Sequence, residues 1–200
     1  MEFDFTKEPG KKLQIDKRKR SIGMPLISVI TAYFNADTYL DQLYICMMNQ
    51  TFPWFEWIIV DDGSTKVASI QLLQEILIRD ERIRVVHKEN GGLSSARNCG
   101  IKESVTEIIV PIDADDLIEP TFLEVLWWAL YYNPDCSWAY ADCCGFQGKE
   151  YVWKKKFDAK TLTHYNFLVA TAAIRKRDLL EVGGYDEIEK HYYEDWRFMD

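Results

Sequence analysis

No apolar run in this 200-residue chain approaches the roughly 20 residues that a membrane span requires. Contact with a bilayer is therefore expected to be peripheral at most, at the inner face of the cell membrane. Cysteine is scarce and irregularly placed. Five residues, Cys46, Cys99, Cys136, Cys143 and Cys144, form no even framework, and no signal peptide precedes them, so reduced thiols and a cytoplasmic location are expected. The spacing argues against a zinc site, because Cys143 and Cys144 are adjacent and His87, His164 and His191 lie far from them in sequence. Net positive charge is also missing. A formal charge of −8 repels a phosphate backbone and argues against nucleic acid as a partner. Low-complexity linkers and internal repeats are absent as well.

What is present is a folding composition, 48% hydrophobic and 14% aromatic, sufficient to bury a core. Basic residues crowd one stretch, Lys11, Lys12, Lys17, Arg18, Lys19 and Arg20, whose low apolar content and lack of periodicity read as a flexible arm over 1–24. The globular part is expected over 25–200. Short β-branched runs at 26–30, 57–60, 83–86 and 108–112 read as buried strands. Helical spacing fills the intervals: Leu40, Leu43, Tyr44 and Met47 behind a cap at Asp37 or Thr38, then 67–78, 93–103 and 122–131. Trp127 and Trp128 fall inside the last helix and read as packing. Beyond it, 138–143 and 151–157 are expected to be strands around a turn at 145–148. A last strand over 172–175, a short helix over 178–182 and a helical stretch carrying Glu194 and Asp195 complete the pattern. Alternation of this kind predicts an α/β fold, a mostly parallel sheet covered on both faces.

Open parallel sheets bind ligands beyond the carboxyl ends of their strands. Two expected strands end in carboxylate clusters, Asp61-Asp62-Gly63-Ser64 and Asp113-Ala114-Asp115-Asp116. Carboxylates gathered in one cleft raise each other's pKa values, so they call for a cation or for hydrogen-bond donors. Oxygen ligands suit Mg2+ or Mn2+, which complete their shells with water and substrate phosphates. The first cluster also reads as an ordinary turn with a helix cap; three aspartates in four residues at a buried strand end fit a metal site better.

The motifs Ser28-Val29-Ile30-Thr31-Ala32-Tyr33-Phe34-Asn35, Asn49-Gln50-Thr51 and Val60-Asp61-Asp62-Gly63-Ser64-Thr65 follow one another in order. They continue as Asn90-Gly91-Gly92-Leu93-Ser94-Ser95-Ala96-Arg97-Asn98, Asp113-Ala114-Asp115-Asp116, Gly183-Gly184-Tyr185-Asp186-Glu187 and Glu194-Asp195-Trp196. In this order and spacing the chain resembles family-two glycosyltransferases over residues 25–200. The resemblance implies the GT-A fold, an inverting transfer and a nucleotide-diphospho-sugar donor, UDP-sugars being favoured, with a glycan or glycolipid acceptor in polysaccharide or glycoconjugate biosynthesis. It implies that Asp62 accepts a hydrogen bond from the base and that the backbone around Ala32 lines the base pocket, although the family commonly has Pro or Thr there. Asp113 would lie near the ribose, with Asp115 or Asp116 as ligands of Mn2+ or Mg2+. Asp195 matches the catalytic base, which takes the proton of the attacking acceptor hydroxyl. Glu194 would seat the acceptor and Trp196 would give its sugar an apolar platform. Acceptor-binding elements usually follow in the family, so the chain is expected to be a piece of a longer enzyme.

Arg97 reads equally as a phosphate contact or as a structural ion pair, and Lys154, Lys155 and Lys156 as a solvated strand edge or an anion-attracting patch. Other functions remain to be weighed. A binding module on a degenerate glycosyltransferase scaffold would show damage at Asp62, Asp115 or Asp195, and all three are present. A phosphoryl-transfer domain lacks its acidic nucleophile after the first strand and any P-loop, and a nucleotidyltransferase lacks its Gly-rich basic loop.

Overall fold

The structure is a computed structural model that describes residues 24–145, 150–162, 164, 166 and 168–187. Glu194, Asp195, Trp196 and the basic stretch of 11–20 lie outside the described residues. In chain order the elements are β1 (Ile27–Tyr33), α1 (Leu40–Met48), β2 (Phe55–Asp61), α2 (Val67–Leu77), β3 (Ile83–His87), α3 (Leu93–Glu103), β4 (Ile108–Pro111), α4 (Phe122–Tyr132), β5 (Trp138–Tyr140), β6 (Cys143–Gly145), β7 (Tyr151–Trp153), α5 (Ala159–Leu162), β8 (Ala172–Arg175) and α6 (Lys176–Glu181). The main sheet runs β3-β2-β1-β4-β8-β5 and β6-β7 form a separate hairpin. β3, β2, β1 and β4 pair in parallel, while β8 is antiparallel to both of its neighbours.

Every residue of β2 is buried, as the apolar run of Trp57 to Val60 requires of a strand covered on both faces, and the buried Glu56 beside it is met by the Val105 amide and Arg84. On one face Ile27, Val29, Trp57, Ile59 and Val110 meet Leu40, Leu43 and Met47 of α1, Leu73 and Ile76 of α2, and Leu123, Leu126, Trp127 and Trp128 of α4. On the other, Ile30, Ile109 and Ile174 meet Ile101 of α3 and Leu179 of α6, while Ile58 and Val60 meet Ala96 of α3. The buried indole of Trp57 keeps its N–H satisfied by donating to Thr31 Oγ1 at 3.0 Å.

Three expectations need correction. Neither Asp37 nor Thr38 caps α1, which begins behind Tyr39 without a side-chain cap; Asp37 instead accepts a bond from Ser69 Oγ of α2 at 2.6 Å. The strand expected over 138–143 divides in two. Tyr140 pairs with Ala172, the first residue of β8, so beyond Tyr140 the chain has no partner in the main sheet and turns into the β6-β7 hairpin. The strand expected over 151–157 stops at Trp153, and Lys154, Lys155 and Lys156 stand exposed, Lys154 Nζ lying 3.5 Å from Asp142 Oδ2. The three lysines are solvated, as one of the two readings had it, but they lie past the end of β7 and not on a strand edge.

Gln50, from the Asn49-Gln50-Thr51 motif, and Gly100 serve the scaffold in ways the pattern did not announce. Gln50 Nε2 donates to Glu119 O and its Oε1 accepts from Leu123 N, so Gln50 caps the first turn of α4 from 73 residues away. Gly100 brings α3 onto the sheet: a Cβ there would stand 2.4 Å from Ile30 Cγ2 and 3.2 Å from Val60 Cγ2. Alanine ordinarily favours a helix over glycine by up to about 1 kcal/mol, but overpacking a filled core costs about 1–3 kcal/mol. Gly100→Ala is therefore expected to destabilise the fold by about 1–2 kcal/mol, read as a lower urea midpoint at unchanged m-value.

Candidate active site

The loops after β1, β2, β3 and β4 all open at one end of the sheet because those strands run in parallel. Register then places their charges. Tyr33 lies opposite Asp61, and Asp61 opposite His87. Asp61 and Asp62, adjacent and buried, would repel each other unless compensated, and neighbouring elements supply the compensation. Asp61 Oδ1 accepts from the Ser64 amide at 2.9 Å, and its Oδ2 stands 2.9 Å from His87 Nδ1. Burial pushes the Asp61 carboxyl up, but the bonds from Ser64 and His87 outweigh it and hold the group below the usual carboxylate range.

Asp62 is served from the loop before α3. Its Oδ1 takes Lys88 Nζ at 2.6 Å and the Gly91 amide at 2.9 Å, and its Oδ2 takes the Gly92 amide at 2.7 Å. Asn90 Nδ2 donates to the Asp62 carbonyl at 2.9 Å. The carboxylate singled out for the base thus first shapes the loop that opens α3. Gly92 ends that loop at φ +90, a conformation disfavoured for residues with a side chain. Asn35, at φ 52, ties the β1 loop to the β2 loop: its Oδ1 accepts from the Thr65 and Lys66 amides at 3.0 and 2.9 Å, caging the start of α2. Ala32, opposite Val60 in the ladder, sits half-buried at the base of this corner beside Ile58, Val60 and Ala96.

The second cluster is compensated only in part. Asp113 pairs through Oδ1 with Arg97 NH2 at 2.7 Å, and Arg97, 2% exposed, also lies over the Tyr185 ring at 5.1 Å. The structural ion pair foreseen for Arg97 is thus present. Asp115 faces solvent. Asp116 is exposed as well and accepts from Thr171 Oγ1 at 3.0 Å; partial desolvation of its carboxyl, followed by the charges of Asp113 and Asp115, pushes its pKa up. Asp115 and Asp116 open onto a cleft of about 430 Å³ whose other walls are Tyr39 and Gln42 at the start of α1, Leu117, and Cys144, Gly145 and Tyr151 of the hairpin. Neither wall carried a sequence signal, because both are made by tertiary packing. Burial and then the Asp116 charge push the neighbouring Cys143 thiol up, away from nucleophilic chemistry.

No group of three or more His, Cys, Asp or Glu side chains is gathered closely enough to hold a metal among the described residues. Asp115 and Asp116 are of the oxygen-donor type that a hard divalent ion takes together with water and phosphate. The supporting observation is geometric: both carboxylates border one cleft, with no cation of the protein paired to either among the described residues.

A mostly parallel sheet of this order, covered by helices on both faces, is the GT-A fold of the solved glycosyltransferases that the chain resembles. The family model for glycosyl transferase family 2 matches residues 28–184, and the chain belongs to that family. It is 30% identical over 183 residues to an uncharacterized glycosyltransferase of Haemophilus influenzae, covering 89% of this chain and 72% of that protein. It is 41% identical over 100 residues to the putative glycosyltransferase EpsH of Bacillus subtilis, covering 50% of this chain and 29% of that one. Among solved structures, S. aureus TarS 1–349 in complex with UDP-GlcNAc superposes with a TM-score of 0.72 at 22% identity, over 87% of this chain and 52% of that one. The mannosyltransferase PcManGT of Pyrobaculum calidifontis, in complex with GDP-Man and Mn2+, superposes with a TM-score of 0.62 at 17% identity, over 90% and 55%. The chain therefore spans about half the length of these solved relatives. No described helix is long and apolar enough to cross a membrane.

An acid whose folded pKa is raised destabilises the fold above that pKa and ceases to do so as pH falls through it. In the absence of metal, Asp116→Asn is accordingly expected to raise the melting temperature at neutral pH. The gap between variant and parent should close as pH is lowered through the raised pKa, which differential scanning calorimetry would follow.

Proposed function

We propose that this chain is the donor-binding and catalytic core of an inverting glycosyltransferase that moves a sugar from a nucleotide diphosphate, UDP-sugars favoured, to a hydroxyl of a glycan or glycolipid. The observation that carries the proposal is the unequal treatment of two carboxylate clusters. Asp61 and Asp62 are neutralised by protein donors and form a rigid wall, whereas Asp115 and Asp116 meet a cleft with no cation of the protein paired to them in the described contacts. A diphosphate cannot approach such carboxylates alone, so Asp115 and Asp116 would hold Mn2+ or Mg2+. That ion, when bound, offsets the charge developing on the departing diphosphate.

The chain's own groups then have separable tasks. The backbone at Ala32 and the side chain of Asp62 border the base corner, and Asp62 retains lone-pair capacity beside its three donors. Asp113, fixed by Arg97, faces the ribose, and the Arg97 guanidinium lies within the same constellation as the phosphates. Asp195 would accept the proton of the acceptor hydroxyl, Glu194 would orient that hydroxyl and Trp196 would stack on its sugar. A single base with one displacement implies inversion. The complexes of TarS with UDP-GlcNAc and of PcManGT with GDP-Man and Mn2+ support a nucleotide-sugar donor and a divalent ion. Work on a polysaccharide or other glycoconjugate at the inner face of the cell membrane completes the proposal.

Calorimetric titration of UDP, GDP and TDP with and without Mn2+ tests it. One nucleotide is expected to bind, at least about tenfold more tightly with Mn2+, a difference of about 1.4 kcal/mol. Asp115→Ala should remove the metal-dependent part. Failure of every nucleotide to bind would instead favour a module on a degenerate scaffold.

A further inference from the structure

Two adjacent residues of α3 join the donor side of the cleft to the segment that leads toward Asp195. Arg97 reaches Asp113 on one side and covers the Tyr185 ring on the other. Asn98 grips the backbone beside that ring. Its Nδ2 donates to the Tyr185 carbonyl at 2.8 Å and its Oδ1 accepts from the Tyr185 amide at 2.9 Å, so one side-chain amide reproduces the two-way pairing of a β-bridge. The same Nδ2 also donates to Glu187 Oε1 at 2.8 Å. The fit leaves no room for a side chain opposite: a Cβ on Gly184, at φ +75, would stand 2.7 Å from Asn98 Oδ1. Tyr185 is 3% exposed, so the ring is locked while the backbone either side of it is on the surface. Asp195 follows Glu187 by eight residues in the sequence.

We propose that Asn98 is a positioning residue that fixes the loop of residues 183–187 in the place from which the acceptor side is presented, and that it couples this loop to donor binding through Arg97 and Asp113. The inference rests on the donor-site reading above. Donor phosphates and ribose act on Asp113 and Arg97; Arg97 holds the Tyr185 ring; Asn98 makes the backbone follow the ring. Without Asn98 the ring keeps its cation but the loop loses three hydrogen bonds, so donor binding no longer sets the loop.

Amide hydrogen exchange of the 183–187 peptide, read with and without UDP and Mn2+, tests the coupling directly and needs no acceptor. In the parent protein the nucleotide is expected to slow exchange of this peptide by about threefold or more. Asn98→Ala should exchange there about tenfold faster, lose the response to nucleotide, and keep its UDP–Mn2+ affinity within about twofold. Asn98→Asp keeps an acceptor for the Tyr185 amide but sets a carboxylate against Glu187; adding Glu187→Gln supplies a donor again and should recover part of the protection. General loosening of the fold would instead raise exchange in β1 and β2 as well and would not be rescued. The proposal is overturned if Asn98→Ala still responds to nucleotide, if its nucleotide affinity falls in step with its protection, or if nucleotide binds the parent protein without slowing the loop. Absence of nucleotide binding in the parent protein would bring down the donor-site reading first, and this inference with it.

Discussion

Charge compensation at the carboxyl ends of the parallel strands is the constraint on which the rest of this structure depends. Five aspartates, Asp61, Asp62, Asp113, Asp115 and Asp116, stand where β2 and β4 deliver the chain to one end of the sheet. Uncompensated, they would repel one another in a partly desolvated site. The fold supplies His87 and Lys88 from the end of β3, the Gly91 and Gly92 amides from the start of α3, and Arg97 from the same helix. Those donors satisfy three of the aspartates. Asp115 and Asp116 have no such cation paired to them among the described residues, which is the basis of the proposed metal site.

Helix α3 is the element that makes this distribution possible. The loop that leads into it holds Asp62, its second turn holds Asp113 and the loop of 183–187, and its close seating on Ile30 and Val60 through Gly100 fixes all three at once. Because a packed core transmits displacement rather than absorbing it, a shift of α3 would disturb Asp62, Asp113 and the loop of 183–187 together. The hairpin β6-β7, by contrast, meets the main sheet only at its margin, and its exposed Tyr151 and Cys144 form the wall of the cleft least tied to the core.

The parallel sheet was legible because each of its strands is built around a short β-branched apolar run, and the bounds of α3 and β8 fall where 93–103 and 172–175 were expected. Both aspartate clusters were legible for the same reason, since a strand that stops at a carboxylate announces the ligand end of a sheet. Partners distant in sequence were not. The Lys88 partner of Asp62, the Tyr185 partner of Asn98 and the Leu123 partner of Gln50 lie 26, 87 and 73 residues away, and no periodicity records such pairings. Asp37 misled for a related reason: its pattern is that of a local cap, but a hydroxyl of α2 lies within reach and wins the bond. The division of 138–143 into β5 and β6 depends on where β8 begins, which is a property of the assembled sheet and not of those six residues.

The central claim is that the two carboxylate clusters differ in kind, one closed by the protein and one completed by a cation and a diphosphate. Anomalous diffraction from crystals grown with UDP and Mn2+ tests it most directly. The account predicts a manganese peak within coordination distance of Asp115 or Asp116 and none beside Asp61 or Asp62, with Lys88 still bonded to Asp62. A peak between Asp61 and Asp62, or bound UDP with no peak at Asp115 or Asp116, would contradict it.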